Sequence, residues 1–410
     1  PALLHWRLSK GKEDPDRIGE RRAVPGRARP EGAMVWAHGA SIGETQALLP
    51  LVEALAHRGL KVLVTSGTRT SADLLARRLP PGARHQFVPL DFPAAVDRFL
   101  DHWRPSLALF CESEVWPNFV IGLERRRIPL VLVNGRISER SHAGWARRPA
   151  IARALFGRFS LCLAQTAADA ERLADLGAPV AGVSGNLKFD IPPLPADPAA
   201  VEVLSGVLAG RPIWMAASTH PGEDEAVFAT HLAVRQRRPG LLTLLAPRHP
   251  ERGGAIAQAA RAAGLGAGQR SRGGRPDESA DLHLVDTVGE FGLFYRLAPL
   301  VFMGGSLVPH GGQNPIEPAR LGAAVLHGPH VANFAEIYGR LDGSGGARGV
   351  QDAAALATAV GEMLGQPAGL REMARRGRSE IEALGGAVAR TLAAIAPLLP
   401  APRPPGEAFW

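Results

Sequence analysis

Met34-Val35-Trp36-Ala37-His38-Gly39-Ala40-Ser41-Ile42-Gly43-Glu44 is an apolar run that breaks into small residues and then meets a carboxylate. Behind it, Thr45 to Leu55 carries the apolar spacing of a helix. Strand, small-residue turn and helix start, in that order, form the repeating unit of open α/β sheets, which bind ligands outside the carboxyl ends of their strands. Glycine lets the backbone pass close to a substrate, and Glu44 would face that crevice. Acidic groups are also favoured in the first helical turn. Glu44 could therefore serve only as a cap, and on this segment alone capping is the stronger reading.

The same alternation extends in both directions. Strand-like runs at Met34–Ala40, Lys61–Thr65, His85–Leu90, Ser106–Cys111, Pro129–Val133, Leu161–Ala164 and Val180–Val183 are separated by helical patterns such as Ser71–Leu79, Pro93–His102, Pro117–Arg127 and Ala167–Leu176. Repeated βα units predict a mostly parallel sheet with helices on both faces. The Pro-rich break around 190–198 reads as a linker. The alternation then restarts with Pro212–Ala217, Leu241–Ala246, Leu282–Val285, Leu300–Met303 and Ala323–Leu326. Gly264–Asp277 reads as a loop, and Asp352 to Leu399 as long helices. The expected division is an N-terminal segment 1–30, a first domain 31–190, a linker 191–198, a second domain 199–399 and a Pro-rich tail 400–410. Two doubly wound sheets joined by a short linker would hold a ligand cleft where their strand ends converge.

A chain of 410 residues with 46% hydrophobic and 6% aromatic content fits a two-domain α/β enzyme. The net charge of +8 favours anionic partners. From Ile121 to Ser160 there are nine Arg against two Glu, with Trp145, Phe156 and Phe159 interleaved, a composition suited to an anionic membrane surface. No nucleic-acid motif accompanies it. Cys111 and Cys162 lie in apolar runs and should be buried and reduced. No stretch approaches the length of a membrane-spanning helix. Ala2-Leu3-Leu4-His5-Trp6-Arg7-Leu8 could be the tail of an apolar anchor. There is no P-loop, zincin or Cys/His zinc spacing, and Gly264-Leu265-Gly266-Ala267-Gly268 is a poor dinucleotide fingerprint. Asp14-Pro15-Asp16 reads as a turn, not a metal site, so no metal is expected.

Several strand ends carry polar groups. Glu112-Ser113-Glu114-Val115-Trp116-Pro117-Asn118 places two carboxylates that would repel if buried without cations. Glu114 is the better cleft candidate, with a helix-capping cluster an equal alternative. Arg136 and Arg140 follow another strand and suit carboxylate or phosphate, or surface ion pairs. Lys188 could reach a developing negative charge, or be an ordinary solvated lysine. Ser218-Thr219-His220 opens a helix and suits a phosphate. Arg248 offers a bidentate grip, and the neighbouring His249 is as readily structural. Gly304-Gly305-Ser306 can cradle an anion, and Asn314-Pro315-Ile316-Glu317 reads as a helix start, with Glu317 either capping it or accepting ribose hydroxyls. Two Gly pairs in one loop favour ligand binding.

In order along the chain, Ser41–Glu44, Glu112–Asn118, Asn134–Ser141, Gly185–Asp190, Ser218–Glu225, Ala246–Arg252 and Gly304–Glu317 resemble the 3-deoxy-manno-octulosonic acid (Kdo) transferases. These are membrane-associated glycosyltransferases that act on lipid A precursors in Gram-negative bacteria. The resemblance runs from Gly11 to about Leu399, with conservative departures at Ser113 and Ile137. It implies a GT-B fold, two Rossmann-like doubly wound domains facing a central cleft. It also implies an inverting, metal-independent transfer from CMP-Kdo to lipid IVA, with no cofactor, at the cytoplasmic face of the bacterial inner membrane. On this resemblance Glu44 matches the catalytic base, and Glu114 and Lys188 match positions that stabilise the transition state. Ser218, Thr219, Arg248, His249, the Gly289-Glu290-Phe291 turn, Gly304 to Ser306 and Asn314 to Glu317 match elements that bind CMP. The alternatives are a GT-B enzyme using a UDP-sugar, of lipid A disaccharide synthase or epimerase type, and a non-catalytic anionic-lipid-binding protein.

Overall fold

Both faces of a parallel sheet must be covered, so its strands read as near-continuous apolar runs. The structure, a computed structural model describing residues 2–274, 276 and 280–400, contains two such sheets. It divides into two compact units, one made of the chain up to Pro192 together with the residues from Leu384, the other of Pro193–Ala383.

The first unit has seven strands: β1 (Met34–His38), β2 (Lys61–Ser66), β3 (Ala83–Phe87), β4 (Leu107–Cys111), β5 (Leu130–Gly135), β6 (Leu161–Ala164) and β7 (Val180–Val183). All pairs are parallel, in the order β3-β2-β1-β4-β5-β6-β7. Alternate residues of β1 feed opposite faces. Trp36 packs against Phe99, Phe110 and Phe119, with ring centroids 4.8 to 5.0 Å apart, while Val35 and Ala37 join Leu48, Leu51 and Leu109 on the other side. The strand order reverses between β1 and β4.

The segment before β1 is tied to the sheet. Glu13, buried, pairs with Arg7 at 2.5 Å and with Arg21 at 2.9 Å. Arg21 then donates to the carbonyls of Gly67 and Val88 at 2.6 and 2.9 Å, just past the ends of β2 and β3. Asp14 caps the short helix Pro15–Arg22, so Asp14-Pro15-Asp16 is a turn.

The second unit repeats the plan with β8 (Ile213–Thr219), β9 (Leu242–Pro247), β10 (Ala267–Gln269), β11 (Leu282–Leu284), β12 (Leu300–Met303), β13 (Ala324–His327) and β14 (Ala347–Gly349). The order is β10-β11-β9-β8-β12-β13-β14, again all parallel, with the reversal between β8 and β12.

Three expectations are corrected, while the helical reading of the stretch from Asp352 holds. Gly264–Asp277 is not all loop, since Ala267–Gln269 pairs with Leu282–Leu284 as an edge strand. The helical stretch from Asp352 is three helices, Ala353–Leu364, Pro367–Ala383 and Ala387–Ile395. The last of these does not belong to a second domain ending at residue 399. Ala387, Leu392 and Ile395 enter the core that holds Val35 and Leu109, and the Asp190 carboxylate accepts the Gly386 N–H at 2.6 Å and also that of Val388. Finally, residues 367–398 do contain a window apolar enough to cross a membrane by length and composition, but the helix breaks there at Leu384–Gly386. The expected tail lies, from 401 onward, outside the described residues.

Candidate active site

In the first unit the chemistry gathers at the ends of β1 and β4, beside the reversal in strand order. Ser41 caps the helix Ile42–His57 and accepts the Glu44 N–H at 3.3 Å, while Glu44 Oε2 accepts the N–H groups of Ala40 at 2.5 Å and Ser41 at 3.3 Å. This is a capping box. A Cβ at Gly39 would lie 3.0 Å from that of Glu44, so any larger residue there would press on the Glu44 side chain. Oε1 accepts no hydrogen bond from any described residue. Burial, followed by the charge of Glu114, holds the Glu44 carboxyl above its usual range; the Ser41 and Ala40 N–H groups pull it down and Glu112 pushes it up.

Glu114 lies against His38 and Trp116. Its Oε2 is 3.5 Å from His38 Nε2 and accepts the Trp116 indole N–H. Burial opposes its ionisation, yet the His38 and Trp116 contacts prevail and its pKa is lowered. Lys188 pairs with Glu112, not Glu114, at 2.9 Å. The buried Cys111 thiol lies in the field of Glu112, Glu44 and Lys188 together. Asp91 fixes the following helix by accepting the N–H groups of Asn118 and Phe119 at 3.1 and 3.0 Å. Asn134 accepts the Leu187 N–H at 2.9 Å and so steadies the turn that carries Lys188.

Glu112, Asn134 and Ser218 have φ of 56°, 53° and 58°. Left-handed backbone at a non-glycine residue is strained, and such strain gathers at functional sites. All three residues stand at carboxyl ends of strands.

In the second unit the reversal lies between β8 and β12. A Cβ at Gly304 would come within 2.5 Å of the Ser218 carbonyl, so only glycine lets the two strand ends approach. The expected anion cradle is present but already filled. Glu223, fully buried, accepts the N–H groups of His220 at 2.9 Å, Gly305 at 2.7 Å, Ser306 at 3.0 Å and Leu307 at 3.0 Å. The Ser306 hydroxyl is likewise committed, donating to the Met303 carbonyl and accepting the Gly328 N–H. Thr219 donates to Asp224, which is paired with Arg252. These residues build the loop and leave their own polar groups little capacity for a ligand.

Other groups remain available. Arg248 is exposed and pairs with no described residue, and the exposed His249 stands near Glu251 at 3.5 Å. His220 lies 3.9 Å from His310 and 6.2 Å from His249, ring centre to ring centre, and its Nε2 meets the Gln313 amide at 3.0 Å. Burial, then His310, lowers its pKa. Of the two readings of Glu317, capping is not realised. Asn314 Oδ1 takes the Ile316 N–H at 3.1 Å, and the Glu317 carboxyl, half-buried, is raised above its usual range by burial. Glu317 acts in turn on Tyr295, which stacks on Phe291 at 5.2 Å, so the Gly289-Glu290-Phe291 turn and the Asn314–Glu317 corner are neighbours. Glu290 itself is bound by Arg270 at 2.7 Å and by Thr287. Among the described residues no three His, Cys, Asp or Glu side chains could together hold a metal ion. His38, Glu112 and Glu223 were not singled out from the sequence, although each lies within a segment that was.

Residues 16–191 match the family described as 3-Deoxy-D-manno-octulosonic-acid transferase (kdotransferase). A 3-deoxy-D-manno-octulosonic acid transferase of Bordetella pertussis is 38% identical, over 93% of this chain and 90% of its own. One of Haemophilus influenzae is 34% identical, over 93% and 91%. A probable mitochondrial one of Arabidopsis thaliana is 33% identical, over 82% and 77%. The UDP-GlcNAc 2-epimerase of Neisseria meningitidis superposes with a TM-score of 0.59 at 12% identity, covering 89% of this chain and 100% of its own. That likeness supports the GT-B fold.

Glu223→Ala would strand buried N–H groups that the carboxylate now satisfies. Each lost partner costs about 1–3 kcal/mol, so the unfolding transition of the second unit should move to clearly lower denaturant. An unchanged midpoint by circular dichroism would show that the loop does not depend on this carboxylate.

Proposed function

The chain belongs to the 3-deoxy-D-manno-octulosonic acid (Kdo) transferase family, and on that premise we propose that it moves Kdo from CMP-Kdo to the lipid A precursor lipid IVA, with Glu44 as the general base. The observation that carries this is the divided Glu44 carboxylate. Oε2 is held by the Ala40 and Ser41 N–H groups, and Oε1 remains uncommitted at a strand end. The acceptor oxygen attacks the anomeric carbon as its proton passes to Oε1. The bond from that carbon to the CMP phosphate oxygen breaks, and CMP leaves with the electron pair. Attack opposite the leaving group inverts the centre. An alkyl hydroxyl is a weak acid, so a positioned base whose pKa is raised contributes about 10²–10⁴ in rate.

Positive charge for the departing phosphate is assigned to Arg248 and Lys188, with Glu114 acting on the sugar as it gains oxocarbenium character. Glu317 is assigned to the ribose hydroxyls, alongside Asn314, Pro315, Ile316 and the Gly289–Phe291 turn. Ser218, Thr219, Gly304, Gly305 and Ser306 shape the donor site through backbone. No cofactor or metal is assigned to the step. The reaction is placed at the cytoplasmic face of the inner membrane. The support is a basic helix pair, Glu139–Ala146 and Pro149–Phe156, with Arg140, Arg147, Arg148, Arg153 and Ile151 exposed. Such a surface suits anionic headgroups, at about 1 kcal/mol per basic residue.

Glu44→Gln should lower transfer from CMP-Kdo to lipid IVA by about 10²-fold or more, while calorimetric CMP affinity stays within twofold. Near-normal turnover would remove Glu44 from the role. The base form is lost as pH falls through the raised pKa, so the acid limb of kcat should lie above the range of an ordinary Glu. Arg248→Ala should weaken CMP binding by about tenfold or more, the range of a charged hydrogen bond; an unchanged affinity would contradict that assignment. Arg147→Glu with Arg148→Glu should reduce sedimentation with phosphatidylglycerol vesicles and leave the result with neutral vesicles unchanged. Equal binding to both vesicle types by wild type and variant would dismiss the docking face.

A further inference from the structure

His38 is the last residue of β1, wholly buried and unassigned in the chemistry above. Its ring touches Phe110 and Trp116 edge-on, at centroid distances of 5.3 and 5.4 Å. Nδ1 lies 2.9 Å from Thr65 Oγ1 and 3.3 Å from the Thr65 carbonyl. Thr65 Oγ1 accepts the Trp36 indole N–H at 2.8 Å, which leaves its own proton for His38 Nδ1. With Nδ1 accepting, the ring proton sits on Nε2. Nε2 has no ordinary hydrogen-bond partner among the described residues, and it faces Glu114 Oε2 at 3.5 Å, the outer edge of hydrogen-bond reach. The opposite tautomer would donate from Nδ1 to the Thr65 carbonyl but turn a lone pair toward the Glu114 carboxylate, so Glu114 favours the proton on Nε2.

We propose that His38 is a positioning residue for Glu114, orienting its carboxylate and keeping it ionised through a chain running from Trp36 and Thr65 to the ring and on to Oε2. The Trp116 indole N–H fixes the same oxygen from the other side, so Glu114 Oε1 is the atom left to face substrate. The consequence reaches Glu44. Ionised Glu114 is among the groups that keep the Glu44 carboxyl raised. The charged groups around this pair are Glu44 on its helix, Glu112 at the end of β4 and Lys188 on its turn.

The inference rests on the reading of Glu114 as a group acting on the sugar, and the experiment separates the two. In the full chain, His38→Leu should lower kcat for Kdo transfer about tenfold, within the coupling range of residues in one network, with the KM for CMP-Kdo within twofold. His38→Gln keeps an amide N–H near the Nε2 position and should recover most of the loss. In a Glu114→Gln background, His38→Leu should add less than twofold. A full additional loss in that background, or a Gln variant no better than Leu, would overturn the proposal. Thr65→Val, which removes the hydroxyl that Nδ1 shares with the Trp36 indole N–H, gives the same comparison if His38→Leu does not fold. Undiminished turnover in Glu114→Gln alone would instead withdraw the role of Glu114.

Discussion

At a reversal of strand order in a parallel sheet, the neighbouring connections leave in opposite directions and open a crevice at the carboxyl ends. Each sheet here reverses once, between β1 and β4 and between β8 and β12. What else stands at each reversal follows from what the chain places there. Glycines at 39 and 304 allow backbone and side chain to crowd together, and left-handed residues at 112, 134 and 218 turn the chain out of its strand. The cost of holding that geometry is offset locally by buried carboxylates that collect N–H groups.

Carboxylates do two jobs in this fold. Glu223 is purely internal, the anion that its own glycine-rich loop was shaped to hold. Glu44 is divided, one oxygen closing a capping box and the other left open. Capping and catalysis were rival readings of the sequence, but the geometry makes them compatible. The N–H groups that hold Oε2 fix the direction of Oε1, so in the proposed role of base the carboxylate would lose less freedom when the substrate arrives. Glu112 and Glu114 would repel if both stood unpaired. Lys188 and His38 divide them, one cation or ring for each.

Most of the fold was legible because buried parallel strands are written as apolar runs. What escaped has a physical reason. Ala267-Gly268-Gln269 and Ala347-Arg348-Gly349 have no apolar run of their own and become strands only by pairing with Leu282–Leu284 and Ala324–His327. His38 sits inside a strand-like run, where an imidazole is indistinguishable from filler until its neighbours are known. Glu223 falls in a helix-opening segment whose hydroxyls and N–H groups drew the reading, and nothing local marks its carboxylate as the group that loop would hold. Glu317 fell at the spacing of a capping box, yet Asn314 turned to the nearer Ile316 N–H instead. Gly365-Gln366-Pro367 and Gly385-Gly386 are the written signs that the C-terminal helical stretch is interrupted, and the units the helices join are set by packing at long range.

The helix Ala387–Ile395 leaves the first unit discontinuous in sequence. A ribosome delivers that helix only after the whole of the second sheet has emerged. Until then the hydrophobic face that will receive Leu392 and Ile395 is uncovered, and the Asp190 carboxylate lacks the two N–H groups it will hold. Synthesis from one end therefore cannot complete the two units in the order in which they are encoded. The second, uninterrupted in the chain, can close first, and the first waits for a segment made about two hundred residues later.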